Sequence, residues 1–195
     1  MIAPILATPG FAEACEDKLV ISICAGVTLS TLASYLPNST RIARVMPNTA
    51  ASLRASMTVI SPAENVSAEE TELLEFIFGT VGRALVLPEK HMDVATAVCG
   101  SAPAFFSMFL ESVADGAVMG GVPRKEATLM AAGAMKSAAE LVLSGEHPCI
   151  VREKISTPGG CTMAGLLRLE EGGVRTAVQQ SVIRAADWAG GLGKK

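Results

Sequence analysis

Short apolar runs and amphipathic runs alternate through the first 88 residues, and after Pro88 only the helical period remains. Leu19-Val20-Ile21-Ser22-Ile23-Cys24 predicts a short strand of the kind buried in a parallel sheet. Ala25-Gly26 closes it, and Thr28 caps a helix that places Leu29, Leu32, Ala33 and Leu36 on one face. Pro37-Asn38 ends that helix. Ile42–Met46 is a second strand stopped by Pro47-Asn48, and Met57–Ile60 a third stopped by Ser61-Pro62. Ser67 with Glu70 three residues on forms a capping box for a helix carrying Leu73, Leu74, Ile77 and Phe78. Gly79 and Gly82 end it, and Ala84–Leu87 is a fourth strand. Strands alternating with helices, with turn residues at strand ends, predict part of a doubly wound sheet.

Beyond Pro88 the pattern predicts helices alone. Ser101-Ala102-Pro103 reads as a helix start, with proline in the first turn, where its missing N–H costs nothing. Phe106, Leu110, Val113 and Ala117 form its apolar stripe, and Gly120-Gly121 ends it. Pro123 opens a long Ala- and Met-rich helix that stops at Ser144-Gly145. Three more follow: Ile150–Ile155, Met163–Glu170, and one from about Gly172 to Ala189, before a frayed Gly190–Lys195 tail. The expected organisation is therefore an α/β part over residues 1–88, the second half of a Rossmann-like parallel sheet, and an all-α domain over 89–195.

Composition narrows the partners. Hydrophobic residues make up 50% of the chain and aromatic residues only 4%, so the core must be built from Ala, Val, Leu, Ile and Met. Sixteen basic and nineteen acidic residues leave a net charge of −3 with no Lys/Arg block, which argues against a nucleic-acid partner. No apolar run is expected to span a bilayer, and Met1–Leu6 lacks the basic flank of a signal peptide. Five scattered cysteines without a C-x-x-C pair fit a reducing compartment, and the cytosol is expected. In that setting the two glycosylation sequons, at Asn38 and Asn65, are chance matches.

Candidate chemistry concentrates in Ser156-Thr157-Pro158-Gly159-Gly160-Cys161-Thr162. Helix stops here at hydroxyls, Pro158 and two glycines, then restarts. Gly160, Cys161 and Thr162 would offer backbone N–H groups at a helix N-terminus, where partial positive charge favours a carboxylate or phosphate. An ordinary turn between two helices remains the alternative reading. Cys161 lacks a recognisable base nearby and counts as a backbone donor. His91 and His147 stand far apart with no metal-ligand spacing, and each reads as an exposed or capping residue; no metal is expected.

Four blocks in order resemble the pyrroline-5-carboxylate reductase family. The run from Pro148 through Ser156–Thr162 to Glu170 is similar to its signature. Lys18–Thr28 looks like its strand and turn facing the nicotinamide, and Arg44-Val45-Met46-Pro47-Asn48-Thr49 like its next strand end. Gly100-Ser101-Ala102-Pro103-Ala104-Phe105 is similar to its Gly-Ser-Gly-Pro-Ala-Tyr block. Thr157 replaces a serine, Ala102 a glycine, Phe105 a tyrosine, and Ala50 stands where proline is usual.

The resemblance implies hydride transfer from NAD(P)H, NADPH favoured, to the C=N bond of 1-pyrroline-5-carboxylate, giving L-proline in the last step of proline biosynthesis. It implies substrate contacts at Thr157, Gly159, Gly160, Cys161 and Thr162, with Thr162 catalytic through its hydroxyl on the ring nitrogen. It implies cofactor contacts at Ala25, Gly26, Pro47, Asn48, Ser101 and Pro103. It also implies a homodimer or higher homo-oligomer through the C-terminal helices, in which one subunit's loop completes a site facing its partner's cofactor, with no membrane partner. Measured against the family, the first βαβ units and the G-x-G-x-x-G turn do not occur in this sequence. The strands that remain would expose an apolar edge. A non-catalytic relative serving as a helical dimerisation or ligand-binding module is the alternative. Another imine or β-hydroxyacid reductase is a third reading, and the Ser156–Thr162 loop argues against it.

Overall fold

The structure, a computed structural model, describes residues 3–192. Its four strands are β1 (Leu19–Ser22), β2 (Arg41–Met46), β3 (Ser56–Pro62) and β4 (Gly82–Val86), hydrogen-bonded in the order β1-β2-β3-β4. β1 pairs parallel with β2 and β3 parallel with β4, but β2 and β3 are antiparallel, with Val45 opposite Ile60. The purely parallel expectation needs that refinement. Only residues 47–55 join β2 to β3, fewer than a parallel crossover requires, so the chain doubles back instead.

β2 is the buried centre. Its residues alternate between faces: Ile42, Arg44 and Met46 on one, Ala43 and Val45 on the other. All five are buried. Ala43 and Val45 pack with Ile60 and Leu74, the latter from α2 (Ala68–Gly79). Ile42 packs with Leu32 and Val27, which belong to α1 (Leu29–Ala33) and the turn before it. Leu6, from a single helical turn at Ala3–Leu6, joins the same cluster. β1 lies at an edge, and of its four residues only Ser22 is buried, which corrects the buried strand expected over Leu19–Cys24; Ile21, and Ile23 just past its end, are exposed, the apolar edge also expected.

Both predicted caps form. Thr28 Oγ1 accepts from Thr31 N at 3.1 Å. Ser67 Oγ accepts from Glu70 N at 3.2 Å while Glu70 Oε2 accepts from Ser67 N at 3.1 Å. That backbone N–H, with Arg41 beside it, holds the Glu70 carboxyl below the usual carboxylate range.

Besides short helical turns at Phe11–Ala14 and Thr49–Leu53, the helices that follow are α3 (Glu89–Met119), α4 (Arg124–Leu143), α5 (Pro148–Ile155), α6 (Cys161–Glu171) and α7 (Val174–Leu192). α3 corrects two expectations. Its helical run begins at Glu89, so Ser101-Ala102-Pro103 lies inside it, where a π-turn over Thr96–Ser101 passes into regular helix. It is also long and apolar enough, by length and composition, to cross a membrane. Met92, Ala95, Ala97 and Cys99 are nevertheless buried, and Met92, Ala95 and Cys99 pack against Met46 and Val59 of the sheet. Helix α7 continues through Gly190 to Leu192, past the expected fraying point; residues 193–195 lie outside the described residues.

Contacts divide the chain into two units, residues 1–102 with 181–195, and residues 103–180. The first holds the sheet. The second is helical, and its small core is Ala114, Ala127 and Ala131, where alanines let α3 and α4 approach closely. Much of its apolar surface is uncovered: Phe106 is 51% exposed, Leu129 74% and Leu167 62%.

Candidate active site

Two groups of candidate residues emerge, one in the sheet unit, with Pro103 just past its boundary, and one in the helical unit. In the sheet unit the first group gathers where β1 and β2 end, side by side and parallel, at their carboxyl ends. That is where α/β sheets place their ligands. Ala25 and Gly26 form the turn after β1, with Gly26 at φ +74°, a conformation glycine adopts without strain. Pro47 and Asn48 follow β2. Ala25 packs on the cluster of Met46, Met92 and Cys99, so the turn, the strand end and the π-turn share one apolar floor. Burial pushes the Cys99 thiol up, keeping it a neutral packing group.

Asn48 ties these blocks together. Its Oδ1 accepts from Ala50 N at 3.0 Å, and its own N–H donates to Ser56 Oγ at 3.1 Å. Its Nδ2 donates to the Cys99 carbonyl at 3.0 Å. Pro103, four residues on in α3, has no N–H to give that carbonyl, and the Asn48 amide takes its place. The proline read as a helix start thus acts through the carbonyl it frees. Ser101 is half-buried beside this junction and Pro103 is exposed.

The second group is the loop between α5 and α6. His147 starts α5, its Nδ1 accepting from Cys149 N at 3.2 Å; it is a cap, as read from the sequence. The loop then turns through Gly159 at φ +70°. Gly160 N donates to the Thr157 carbonyl at 3.0 Å and Met163 N to the Gly160 carbonyl at 3.2 Å. The expectation that Gly160 offers its N–H to an anion is therefore corrected: that donor closes the turn. Cys161 N and Thr162 N make no hydrogen bond among the described residues and lie at the first turn of an eleven-residue helix. Thr162 is half-buried, and Thr157, Gly159 and Cys161 are exposed.

A Cβ on Gly160 would meet Thr157 Oγ1, which can turn aside, and would lie 3.0 Å from the Thr157 carbonyl oxygen, so the loop must give by a few tenths of an ångström. Gly160→Ala is expected to lower kcat/KM about ten- to a hundredfold by displacing the turn that presents the two free N–H groups. Steady-state kinetics on folded variant checks this; an unchanged kcat/KM would show the turn can be displaced without consequence.

Residues 89–192 match the family described as pyrroline-5-carboxylate reductase dimerisation. The chain is 46% identical to the pyrroline-5-carboxylate reductase of Schizosaccharomyces pombe over 190 residues, covering 97% of this chain and 67% of that one. It belongs to the pyrroline-5-carboxylate reductase family. It is also 49% identical to the Neurospora crassa pyrroline-5-carboxylate reductase, covering 58% of that protein's length, and 46% identical to that of Lophium arboricola, covering 64%. The chain thus spans roughly three-fifths to two-thirds of these relatives. Among solved structures, Plasmodium falciparum pyrroline carboxylate reductase with NADP bound superposes with TM-score 0.89 at 29% identity, over 98% of this chain and 77% of that one. The Coxiella burnetii pyrroline-5-carboxylate reductase superposes with TM-score 0.86 at 28% identity.

Small residues, a glycine with positive φ and an apolar floor lie at the carboxyl ends of two parallel strands, a lining whose chemistry fits the nicotinamide end of an NADP such as the Plasmodium falciparum relative holds. A pyrophosphate-binding G-x-G-x-x-G turn does not occur in the sequence.

One polar pair in the sheet escapes a reading of the sequence alone. Arg44, in the middle of β2, is buried and paired with Glu89 at 3.0 Å. An arginine between Ala43 and Val45 in a strand buried on both faces was the available signal, since such a charge needs a partner.

Proposed function

We propose that this chain catalyses hydride transfer from NAD(P)H, with NADPH favoured, to 1-pyrroline-5-carboxylate, giving L-proline. The observation that carries the proposal is the α5–α6 loop: two free backbone N–H groups and an unengaged half-buried hydroxyl at one helix N-terminus. The names and the bound NADP of the relatives support it.

The substrate's carboxylate lies on the N–H groups of Cys161 and Thr162, held also by the positive end of the α6 dipole. Thr157 and Gly159 shape the turn, and Gly160 closes it. The Thr162 hydroxyl hydrogen-bonds the ring nitrogen, which orients the C=N bond and favours the protonated form. Ala25, Gly26, Pro47, Asn48, Ser101 and Pro103 make up the nicotinamide end, and NADPH when bound supplies the hydride. The hydride goes to the C=N carbon and the ring nitrogen keeps its proton as an amine.

The exposed apolar faces of the helical unit are an interface between copies of the chain, and the active form is a homodimer or larger homo-oligomer. All five cysteines are free thiols, in keeping with a reducing cytosolic setting.

Titration with NADPH followed by fluorescence, and NADPH oxidation dependent on 1-pyrroline-5-carboxylate, test the activity. Saturable binding with turnover is expected. No binding at millimolar NADPH would overturn the proposal in favour of a non-catalytic helical module.

A further inference from the structure

The Arg44 cluster does more than neutralise a buried charge. The Arg44 side chain is 3% exposed, and Nη1 donates to Glu89 Oε1 at 3.0 Å while Nη2 lies 3.9 Å from Asp93 Oδ1. Nε and Nη2 are buried and find no hydrogen-bond partner among the described residues. An ion pair left that incomplete is poor as a stabilising device, because desolvation of the guanidinium is only partly offset.

The same Glu89 oxygen that meets Arg44 also accepts from Leu29 N at 2.6 Å. Leu29 is the first residue of α1, three positions after Gly26. Arg44 precedes Pro47 by three positions on β2. One carboxylate oxygen therefore joins the turn after β1 to the end of β2, from the first residue of α3. Asp93, one turn along α3, backs the guanidinium, and α7 passes against it: a Cβ on Gly190 would lie 2.9 Å from Asp93 Oδ2.

We propose that Glu89 is a positioning residue for the nicotinamide end of the site. It sets the spacing between the Ala25-Gly26 turn and the Pro47-Asn48 strand end, with Arg44 holding its carboxylate in line. This rests on the reductase reading for what the two blocks bind, but the tie itself is a property of the protein without cofactor. Charge and acceptor can be separated. Glu89→Gln keeps an oxygen for Leu29 N–H and loses the charge, whereas Glu89→Ala loses both.

The test measures amide exchange at Leu29 without cofactor, NADPH affinity by fluorescence, and thermal midpoint, in the wild-type chain and both variants. In Glu89→Ala, Leu29 exchange is expected to quicken about tenfold or more and the NADPH Kd to rise about tenfold, as loss of a charge-assisted hydrogen bond would produce. In Glu89→Gln both stay within about threefold of wild type even where the midpoint falls, since an acceptor remains. If Glu89→Ala does not fold, Glu89→Asp, which keeps charge but shortens the reach, takes its place with the same expectations. Unchanged Leu29 exchange or unchanged NADPH affinity in that variant would overturn the proposal. So would affinity losses in Glu89→Gln and Glu89→Ala that follow the midpoint alone. If the wild-type chain does not bind NADPH, the reductase reading fails, and Leu29 exchange by itself decides whether Glu89 holds the turn.

Discussion

Replacing Thr162 with alanine is expected to lower kcat by about one to two orders of magnitude while leaving KM for the imine within a few-fold. Thr162 is the second residue of α6, and its hydroxyl makes no hydrogen bond among the described residues, so the protein gives it no structural task. Alanine is the best helix former, and the helix survives the change. The backbone N–H groups of Cys161 and residue 162 remain, so the carboxylate anchor stays in place. Only the hydroxyl proposed to meet the ring nitrogen is lost. Thr162→Ser, which keeps the hydroxyl, should recover most of the rate. Steady-state kinetics at saturating NADPH, with circular dichroism as a control for folding, checks both. An unchanged kcat in Thr162→Ala would remove this residue from the mechanism.

The largest effect on stability is expected from Gly82→Ala. Gly82 opens β4 at φ +152° and pairs with Ser56 in the parallel register with β3. A Cβ would lie 2.0 Å from the Ser56 carbonyl oxygen, 2.5 Å from its nitrogen and 2.7 Å from its carbonyl carbon. These are backbone atoms of a buried strand and cannot turn aside. A loss of about 3 kcal/mol or more is expected from the forced displacement and the strained φ. For a chain of this size that lowers the thermal midpoint by roughly 6–12 °C. The displacement would reach the candidate site as well, because Ser56 Oγ accepts from Asn48 N at 3.1 Å. Gly79→Ala is the control. It ends α2 with nothing within 4 Å of its Cβ position, and should be neutral or slightly stabilising. A Gly82→Ala midpoint within about 2 °C of wild type would show that the close approach is absent.

Much of the local structure was legible because its signals are local. Ser67 with Glu70, Thr28 before an apolar run, and Gly159-Gly160 after Pro158 act within four residues, and each adopts the geometry its spacing predicts. Gly160 looked like a third donor, but a turn within four residues brings the Thr157 carbonyl onto its N–H. What else escaped were long-range choices. Pro103 looked like a helix start because proline is at home there. The π-turn before it, and Asn48 waiting for the Cys99 carbonyl 51 positions away, are invisible to local pattern.

By itself the sequence determined the order of the four strands and most of the helices, and the turn residues between them, because hydrophobic period and turn residues work at short range. It also carried four ordered blocks that place the chain in its family. The tertiary structure decided that β3 runs against β2, that helix α3 starts at Glu89, and that Arg44 is buried against Glu89, which reaches Leu29 across sixty residues. Those are matters of which distant groups share one small volume, and only packing sets them.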